Sequence, residues 1–333
     1  MKKYKKINYI IICLLAFSIG IINSPCLSKR QVIEISKPQT PTPEKIYIPL
    51  IAKSRDRFWE IVQIGAERAA DDYRLQISFE GPPSERDLAL QEQIIEEAIS
   101  KNPQAIAIAA LDLQGAAVYV EDSNEKGIPV IAFDSGINSP LIKTTVSTNN
   151  YEAGELAADK MAKLIKNQGK VALIVPDAIS ETSTSRRDGF INKIAKSYPD
   201  IEVVAVKYGE SNIEKSAQAV KEILEEHPDI KGIFATNSGS SHGMVTGARQ
   251  LGLSGDKIKL IGFDSGKLLN DAIKDGLVAG AITQDPITMG YLAVVAAYKA
   301  YKEEPLPERI ETGFRWYDRS NMDNLDIRAV LYE

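Results

Sequence analysis

Cysteine is nearly absent. The chain has two in 333 residues, Cys13 and Cys26, and both fall inside the first thirty. Beyond them there is no thiol, so disulfides, thiolate nucleophiles and cysteine metal ligands are excluded from the rest. Stability there has to come from buried apolar surface. Histidine is as scarce, with only His227 and His242. A Ser-His-Asp triad would need one of these two. His227 lies in Glu-Glu-His-Pro and reads as a residue at a helix C-terminus. His242 follows Ser238-Gly239-Ser240-Ser241 and leaves room for a contact at the edge of a cleft. With no metal-spaced cluster and no dinucleotide fingerprint, neither an enzyme nor a cofactor is expected. A basic excess is missing too. Of 40 basic residues six stand among the first thirty, where none of the 45 acidic residues occurs. The remainder is therefore more acidic than the net charge of −5 suggests, which argues against nucleic acid, since phosphate neutralisation needs a basic face.

The N-terminus stands apart. Lys2, Lys3, Lys5 and Lys6 precede an apolar run from Ile7 to Ile22, the pattern of a secretory signal or membrane anchor. The run is shorter than the ~20 residues that span a bilayer comfortably, which tilts toward a signal. Cys26 follows Asn23-Ser24-Pro25. A lipidation site would place a cysteine here, although Asn23 and Pro25 depart from its usual flanks. Lipidation at Cys26, cleavage nearby and a retained anchor all stay open. Residues 31–45, with Pro38, Pro41 and Pro43 and no apolar periodicity, read as a linker. The segment 1–30 is thus a signal or anchor, and the folded body is expected outside the cytoplasm.

From Ile46 onward short apolar runs alternate with amphipathic stretches. Strands are expected at Ile46–Ala52, Leu75–Phe79, Ala105–Ala110, Pro129–Phe133 and Thr144–Ser147, then at Lys170–Val175, Glu202–Val206, Gly232–Ala235, Ile258–Phe263 and Val278–Thr283. Helices fall between them, among others near Ser84–Ser100, Asp112–Glu125, Arg186–Ser197 and Ser240–Leu251. Nearly continuous Val/Ile/Ala strands imply sheets covered on both faces. Alternation with helices implies parallel order and right-handed crossovers. Two successive sets imply an α/β fold of two doubly wound parallel-sheet lobes, and a chain this long exceeds the ~250–300 residues at which one core stops growing.

Ligands of such sheets bind beyond the carboxyl ends of the strands. Polar residues gather there: Lys53 and Asp56 before Phe58-Trp59, then Asp134-Ser135, Asn237-Ser238, Asp264, and Gln284. Carboxylates, amides and aromatic faces together suit a hydroxyl-rich ligand. Each also has a plainer reading. Asp134 and Asp264, each followed by Ser-Gly, could be turn formers. Phe58 and Trp59 could be core residues, and Asn237 a helix N-cap.

Six motifs in this order resemble the sugar-binding branch of the ABC-importer periplasmic binding proteins, the ribose- and galactose-binding type. They are Phe58-Trp59, Phe133-Asp134-Ser135-Gly136, Arg186-Arg187-Asp188-Gly189-Phe190, Phe234-Ala235-Thr236-Asn237, Ile261-Gly262-Phe263-Asp264 and Ala281-Ile282-Thr283-Gln284-Asp285-Pro286. The resemblance spans Ile46 to Glu333. It implies a periplasmic-binding-protein-like I fold with a three-segment hinge near residues 148, 285 and 314. Lobe 1 would be 46–148 plus 285–313, and lobe 2 would be 149–284 plus 314–333. It further implies that Phe58 and Trp59 stack on a sugar, that Arg186 donates to it, and that Asp134, Ser135, Asn237, Asp264 and Gln284 fix hydroxyl positions, with Lys53, Asp56 and Ser238 in support. Ser135 stands where ribose binders carry an arginine, Lys53 resembles the early lysine of autoinducer-2-binding relatives, and Tyr208 is a candidate second aromatic wall. The implied function is capture of a small carbohydrate by a monomer and delivery to an ABC permease. The alternative is an extracellular sensor of a sugar or autoinducer-2. The same two-lobe fold also serves LacI-type repressors, but the hydrophobic leader stands where those carry a DNA-binding module.

Overall fold

Short runs of Ile, Val, Ala and Phe form the strands, and residues 45–333 are what the computed structural model describes. The leader with Cys26, and all but the last residue of the 31–45 linker, lie outside the described residues. In chain order the first lobe opens with β1 (Tyr47–Ile51), α1 (Arg57–Tyr73), β2 (Gln76–Glu80), α2 (Leu88–Ser100), β3 (Ile106–Ile108), α3 (Ala117–Glu125), β4 (Val130–Phe133) and β5 (Thr145–Ser147). The second runs through α4 (Asn150–Leu164), β6 (Gly169–Val175), α5 (Glu181–Ser197), β7 (Ile201–Tyr208), α6 (Ile213–Glu226), β8 (Ile230–Ala235), α7 (Ser238–Gln250), β9 (Lys259–Phe263), α8 (Lys267–Lys274) and β10 (Gly280–Gln284). Then come α9 (Pro286–Tyr301), β11 (Arg309–Glu311), β12 (Phe314–Tyr317) and α10 (Leu325–Arg328).

Two six-stranded sheets result, ordered β11-β5-β4-β3-β1-β2 and β12-β10-β9-β8-β6-β7. Their ladders are parallel except β10 with β12, which is antiparallel. The two doubly wound lobes expected from the alternation are borne out. An apolar core fills each face of each sheet. The chain passes from one sheet to the other after β5, after β10 and between β11 and β12. At the second passage Asp285 caps α9, its Oδ1 accepting from the Thr288 amide at 3.0 Å, and Pro286 takes the first helical position, where its missing N–H costs nothing. The tail, expected with lobe 2, reaches both lobes. Met322 and Ile327 sit in a core of the second sheet, whereas Tyr332 joins the core around Phe58 and Trp59 in the first.

Several boundaries differ from those expected. α2 starts at Leu88 rather than Ser84, because residues 81–87 form a loop around Pro82 and Pro83. α5 starts at Glu181, five residues before Arg186, so Arg186 lies one full turn inside it. β11, β12 and α10 fall in a stretch for which no element was expected.

Glycine sets how closely two helix pairs approach. α1 packs on α9 and α4 on α5. A Cβ at Gly65 would collide with the carbonyl of Ile287, and one at Gly290 with that of Val62. Gly154 meets the Arg186 carbonyl and Gly189 that of Tyr151 in the same reciprocal way. Gly154→Ala should therefore push α5 outward. We expect a loss of about 1–3 kcal/mol of stability from overpacking, read as a lower urea midpoint, while the same substitution at exposed Gly252, which has open space around it, should cost only its left-handed backbone strain.

Candidate functional site

Between the carboxyl ends of the two sets of strands lies a cavity. It is lined from both lobes. After β1, Lys53 is buried and Asp56 caps α1, its Oδ1 accepting from the Phe58 amide at 3.0 Å. That cap starts the helix so that Phe58 and Trp59 occupy its first turn. Both rings are buried and both line the cavity. Phe58 meets Trp59 edge-to-face at 5.2 Å, Trp59 meets Phe133 likewise at 5.9 Å, and Tyr332 tilts against Phe58 at 6.5 Å. The core reading and the cavity reading of the aromatic pair are therefore compatible. Edge-to-face packing fixes each ring and leaves Phe58 and Trp59 with surface on the cavity.

Asp134 follows β4 and Asp264 follows β9, strands that hold the same place in their sheets. Both carboxylates line the cavity. Both residues are left-handed, with φ of 58° and 69°, a conformation that aspartate tolerates better than most side chains. The turn reading is thus correct, and the turn is what presents the carboxylate. The same turn removes Ser135. Its amide donates to the Phe133 carbonyl at 2.6 Å, the residue is fully buried, and it is not among the cavity's lining residues.

Arg186 is buried at 3% exposure. Its Nε donates to Asn150 Oδ1 at 2.9 Å and its Nη1 to the Thr236 carbonyl at 3.0 Å. The guanidinium lies 3.7 Å from the centre of the Phe263 ring. Two of five N–H groups are thereby used and the plane is fixed. Gln284 donates from Nε2 to Asp264 Oδ1 and accepts from Thr148 Oγ1, each at 2.8 Å, so a bond between two interlobe passages holds the Asp264 carboxylate. Asn237 is the N-cap of α7, with Oδ1 accepting from the Ser240 amide at 2.9 Å. Its Nδ2 donates to Ser211 Oγ at 2.8 Å and to Glu85 Oε2 at 3.3 Å. Ser238 also lines the cavity.

Lys53 Nζ lies 3.2 Å from Asp134 Oδ2 and donates to Thr182 Oγ1, in the opposite lobe, at 3.0 Å. That buried Asp134 oxygen is thus met by charge, while no well-aligned hydrogen bond reaches it from the described residues.

Three lining residues lie outside the sequence expectation: Glu85, Pro176 and Thr182. Thr182 stands one helical turn before Arg186 and so shares its face. Glu85 is the first acidic residue after β2, where the strand-end rule also applies. Tyr208 is half exposed, accepts from Arg187 Nη1, and is not in the lining. His242 is away from the cavity, its Nε2 buried against Gly266. Gly239-Ser240-Ser241-His242-Gly243 has the spacing of a nucleophile motif. Ser241 nonetheless lies inside α7 with its hydroxyl engaged by the Phe263 backbone, at 3.0 Å to the carbonyl and 2.8 Å from the amide, rather than on a strand-to-helix elbow.

Four carboxylates and two cations share this space. Burial raises Asp264 to about 6, with Arg186 and Gln284 pulling it back and Asp134 and Glu85 pushing it further. Burial raises Glu85 and Asp56 as well. Lys53 would be lowered by burial, but Asp134, Glu85 and Asp177 outweigh that and hold it charged.

The periplasmic binding protein domain matches residues 46–305. This chain belongs to that family. The resemblance read from the six motifs is borne out at that level. A carbohydrate transporter solute-binding protein from Agrobacterium radiobacter, solved with D-arabinose, superposes with a TM-score of 0.84 at 30% identity, over 87% of this chain and 100% of that one. An ABC transporter solute-binding protein from Agrobacterium vitis, bound to α-D-tagatopyranose, gives 0.83 at 30% identity with the same coverage. The D-ribose/D-allose-binding protein of Pseudomonas aeruginosa is 25% identical over 276 residues, 80% of this chain and 86% of that one.

The raised Asp264 carboxyl makes a testable sign. A carboxyl with a higher pKa folded than unfolded binds more protons in the native state, so its contribution to stability is largest below pH 4 and is lost as pH rises toward 6. Asp264→Asn should therefore be more stable than wild type at pH 8, by on the order of 1–3 kcal/mol, and equal to it near pH 4. Urea unfolding at the two pH values checks this.

Proposed function

We propose that this periplasmic binding protein captures a monosaccharide between its lobes outside the cytoplasm and hands it to an ABC permease, with no chemistry done on the ligand. The observation that carries this is the cavity's make-up. An aromatic pair, an arginine with unspent donors and carboxylates from both lobes line one space. A sugar hydroxyl donates and accepts at once, so it suits carboxylates on one side and a guanidinium on the other, while the C–H face of the ring lies on Phe58 or Trp59. Relatives solved with D-arabinose, α-D-tagatopyranose and D-fucose support this ligand class.

In this reading Asp134 Oδ2 accepts from a ligand hydroxyl, Arg186 donates to another, and Asp264, held by Gln284, accepts from a third. Asn237 acts mainly on Glu85 and Ser211. A wrong epimer leaves one of these groups unpaired at about 1–3 kcal/mol. Closure follows because a ligand touching both lobes has extra contacts in the closed form.

A thermal-shift panel of pentoses, hexoses and 6-deoxyhexoses should give a clear rise for one stereochemical class, since a ligand of the folded state stabilises it by mass action. With that sugar, Arg186→Ala and Asp134→Ala should each weaken binding at least tenfold by isothermal titration while keeping wild-type far-UV dichroism. Wild-type affinity in both would refute the site. Loss of labelled-sugar uptake in a deletion strain supports delivery. Intact uptake with loss of sugar-induced transcription favours the sensor instead.

A further inference from the structure

Glu85 stands in the loop between β2 and α2, in the first lobe. Its Oε2 accepts from two residues of the second lobe, Ser211 through Oγ and Asn237 through Nδ2 at 3.3 Å. Asn237 and Ser211 are themselves joined at 2.8 Å, so three side chains close a triangle across the cleft. Glu85 also lines the cavity. Its two oxygens are used unequally: no hydrogen bond reaches Oε1 from the described residues, while Oε2 takes both donors.

The partner side of the triangle is held in place. Glu210 and Ser211 are successive left-handed residues, with φ of 53° and 50°, and the loop is pinned where the Gly209 amide donates to the Val175 carbonyl and the Glu210 amide to that of Pro176, both at 2.8 Å. Pro176 is itself part of the cavity wall. On the other side the loop lies so close to α7 that a Cβ at Gly239 would strike the Ser211 carbonyl. A serine on so constrained a turn offers its hydroxyl in one place, and Glu85 meets it there only when the lobes are together.

We propose that Glu85 joins ligand recognition to closure: Oε2 latches the second lobe through Ser211 and Asn237, and Oε1 accepts a hydrogen bond from a hydroxyl of the bound sugar. This rests on the sugar-binding reading above and adds a residue to it. A ligand lacking that hydroxyl leaves Oε1 without its partner in the closed form, so Glu85 selects for a hydroxyl and against its absence.

Three variants separate the two oxygens. Glu85→Gln keeps one acceptor for the latch and puts an amide where the sugar's acceptor was. Glu85→Ala removes both. Ser211→Ala weakens the latch and leaves the ligand's acceptor. D-Arabinose, D-fucose and D-tagatose serve as probes for titration, and small-angle scattering without sugar reads the lobe opening. We expect Glu85→Gln to lose at least tenfold in affinity with an unchanged radius of gyration. Glu85→Ala should lose at least tenfold with a larger radius, and Ser211→Ala should lose about threefold with a larger radius. Wild-type affinity in Glu85→Gln, with losses only in the other two, overturns the ligand contact. An unchanged radius in Ser211→Ala and Glu85→Ala overturns the latch. If the wild type binds neither these three nor any other sugar of the wider panel, the monosaccharide reading fails and this inference with it. Binding by the wild type that Glu85→Gln leaves intact fails this inference alone.

Discussion

A charge taken out of water costs roughly several kcal/mol unless it is paired, and six ionisable side chains converge on one enclosed space here. Most of the local structure answers that constraint. Lys53 sits against Asp134. Asp264 takes the amide of Gln284 and the field of Arg186. Arg186 is braced by Asn150, by a carbonyl and by the Phe263 ring. Asp56 is occupied with the helix it caps, and Glu85 takes two donors from the facing lobe. The residues of the cavity are held by a surrounding layer whose members never touch the space themselves, such as Asn150 and Thr148. That layer lets buried polar groups keep one geometry while part of their capacity stays unspent.

The two lobes meet the constraint in the same way. Phe-Asp-Ser-Gly occurs at residues 133–136 and 263–266, at the third strand of each sheet order. In both copies a left-handed aspartate presents its carboxylate to the cleft. The serines then diverge. Ser135 is buried with an unpartnered hydroxyl, whereas Ser265 accepts from the Tyr332 amide at 2.9 Å and anchors the chain's end. Each lobe also carries one helix pair closed by reciprocal glycines. In the second lobe that close approach bears on the carbonyl of Arg186 itself, so backbone packing and the ligand-facing guanidinium share one residue.

The fold was legible because its signals are local and repeated. Apolar strand runs alternate with helices often enough that an error at one boundary does not disturb the rest. The family motifs were legible for the same reason. What the sequence hid was of two kinds. β11 and β12 are three and four residues long, and β11 pairs with β5 from more than 160 positions away, so neither carries a period of its own. Glu85 was hidden because its meaning lies in the opposite lobe. Nothing near Pro82-Pro83 announces that a serine 126 residues later will meet it. Ser135 erred in the opposite direction, since its place beside Asp134 suggested a shared role that a left-handed turn forbids. Alternation at a strand end stops being a guide once the backbone leaves the extended region.

Unpaired capacity in an otherwise satisfied cavity also argues about what the site rejects. Arg186 keeps N–H groups that its protein partners do not use, and Asp134 Oδ2, ion-paired with Lys53, takes no hydrogen bond from the described residues and keeps acceptor capacity to spare. An apolar ligand would bury these without partners, and a purely donating amine would satisfy the carboxylates but not the guanidinium. A group that donates and accepts satisfies both, and several such groups on a rigid ring do so without the entropy cost of ordering a flexible chain. Selectivity on this basis comes from the penalty for what is missing rather than from the strength of any one bond. The latch across the cleft has the same character: Oε2 of Glu85 is satisfied within the protein only when the lobes meet, so closure around the wrong occupant keeps that bond and forfeits the others.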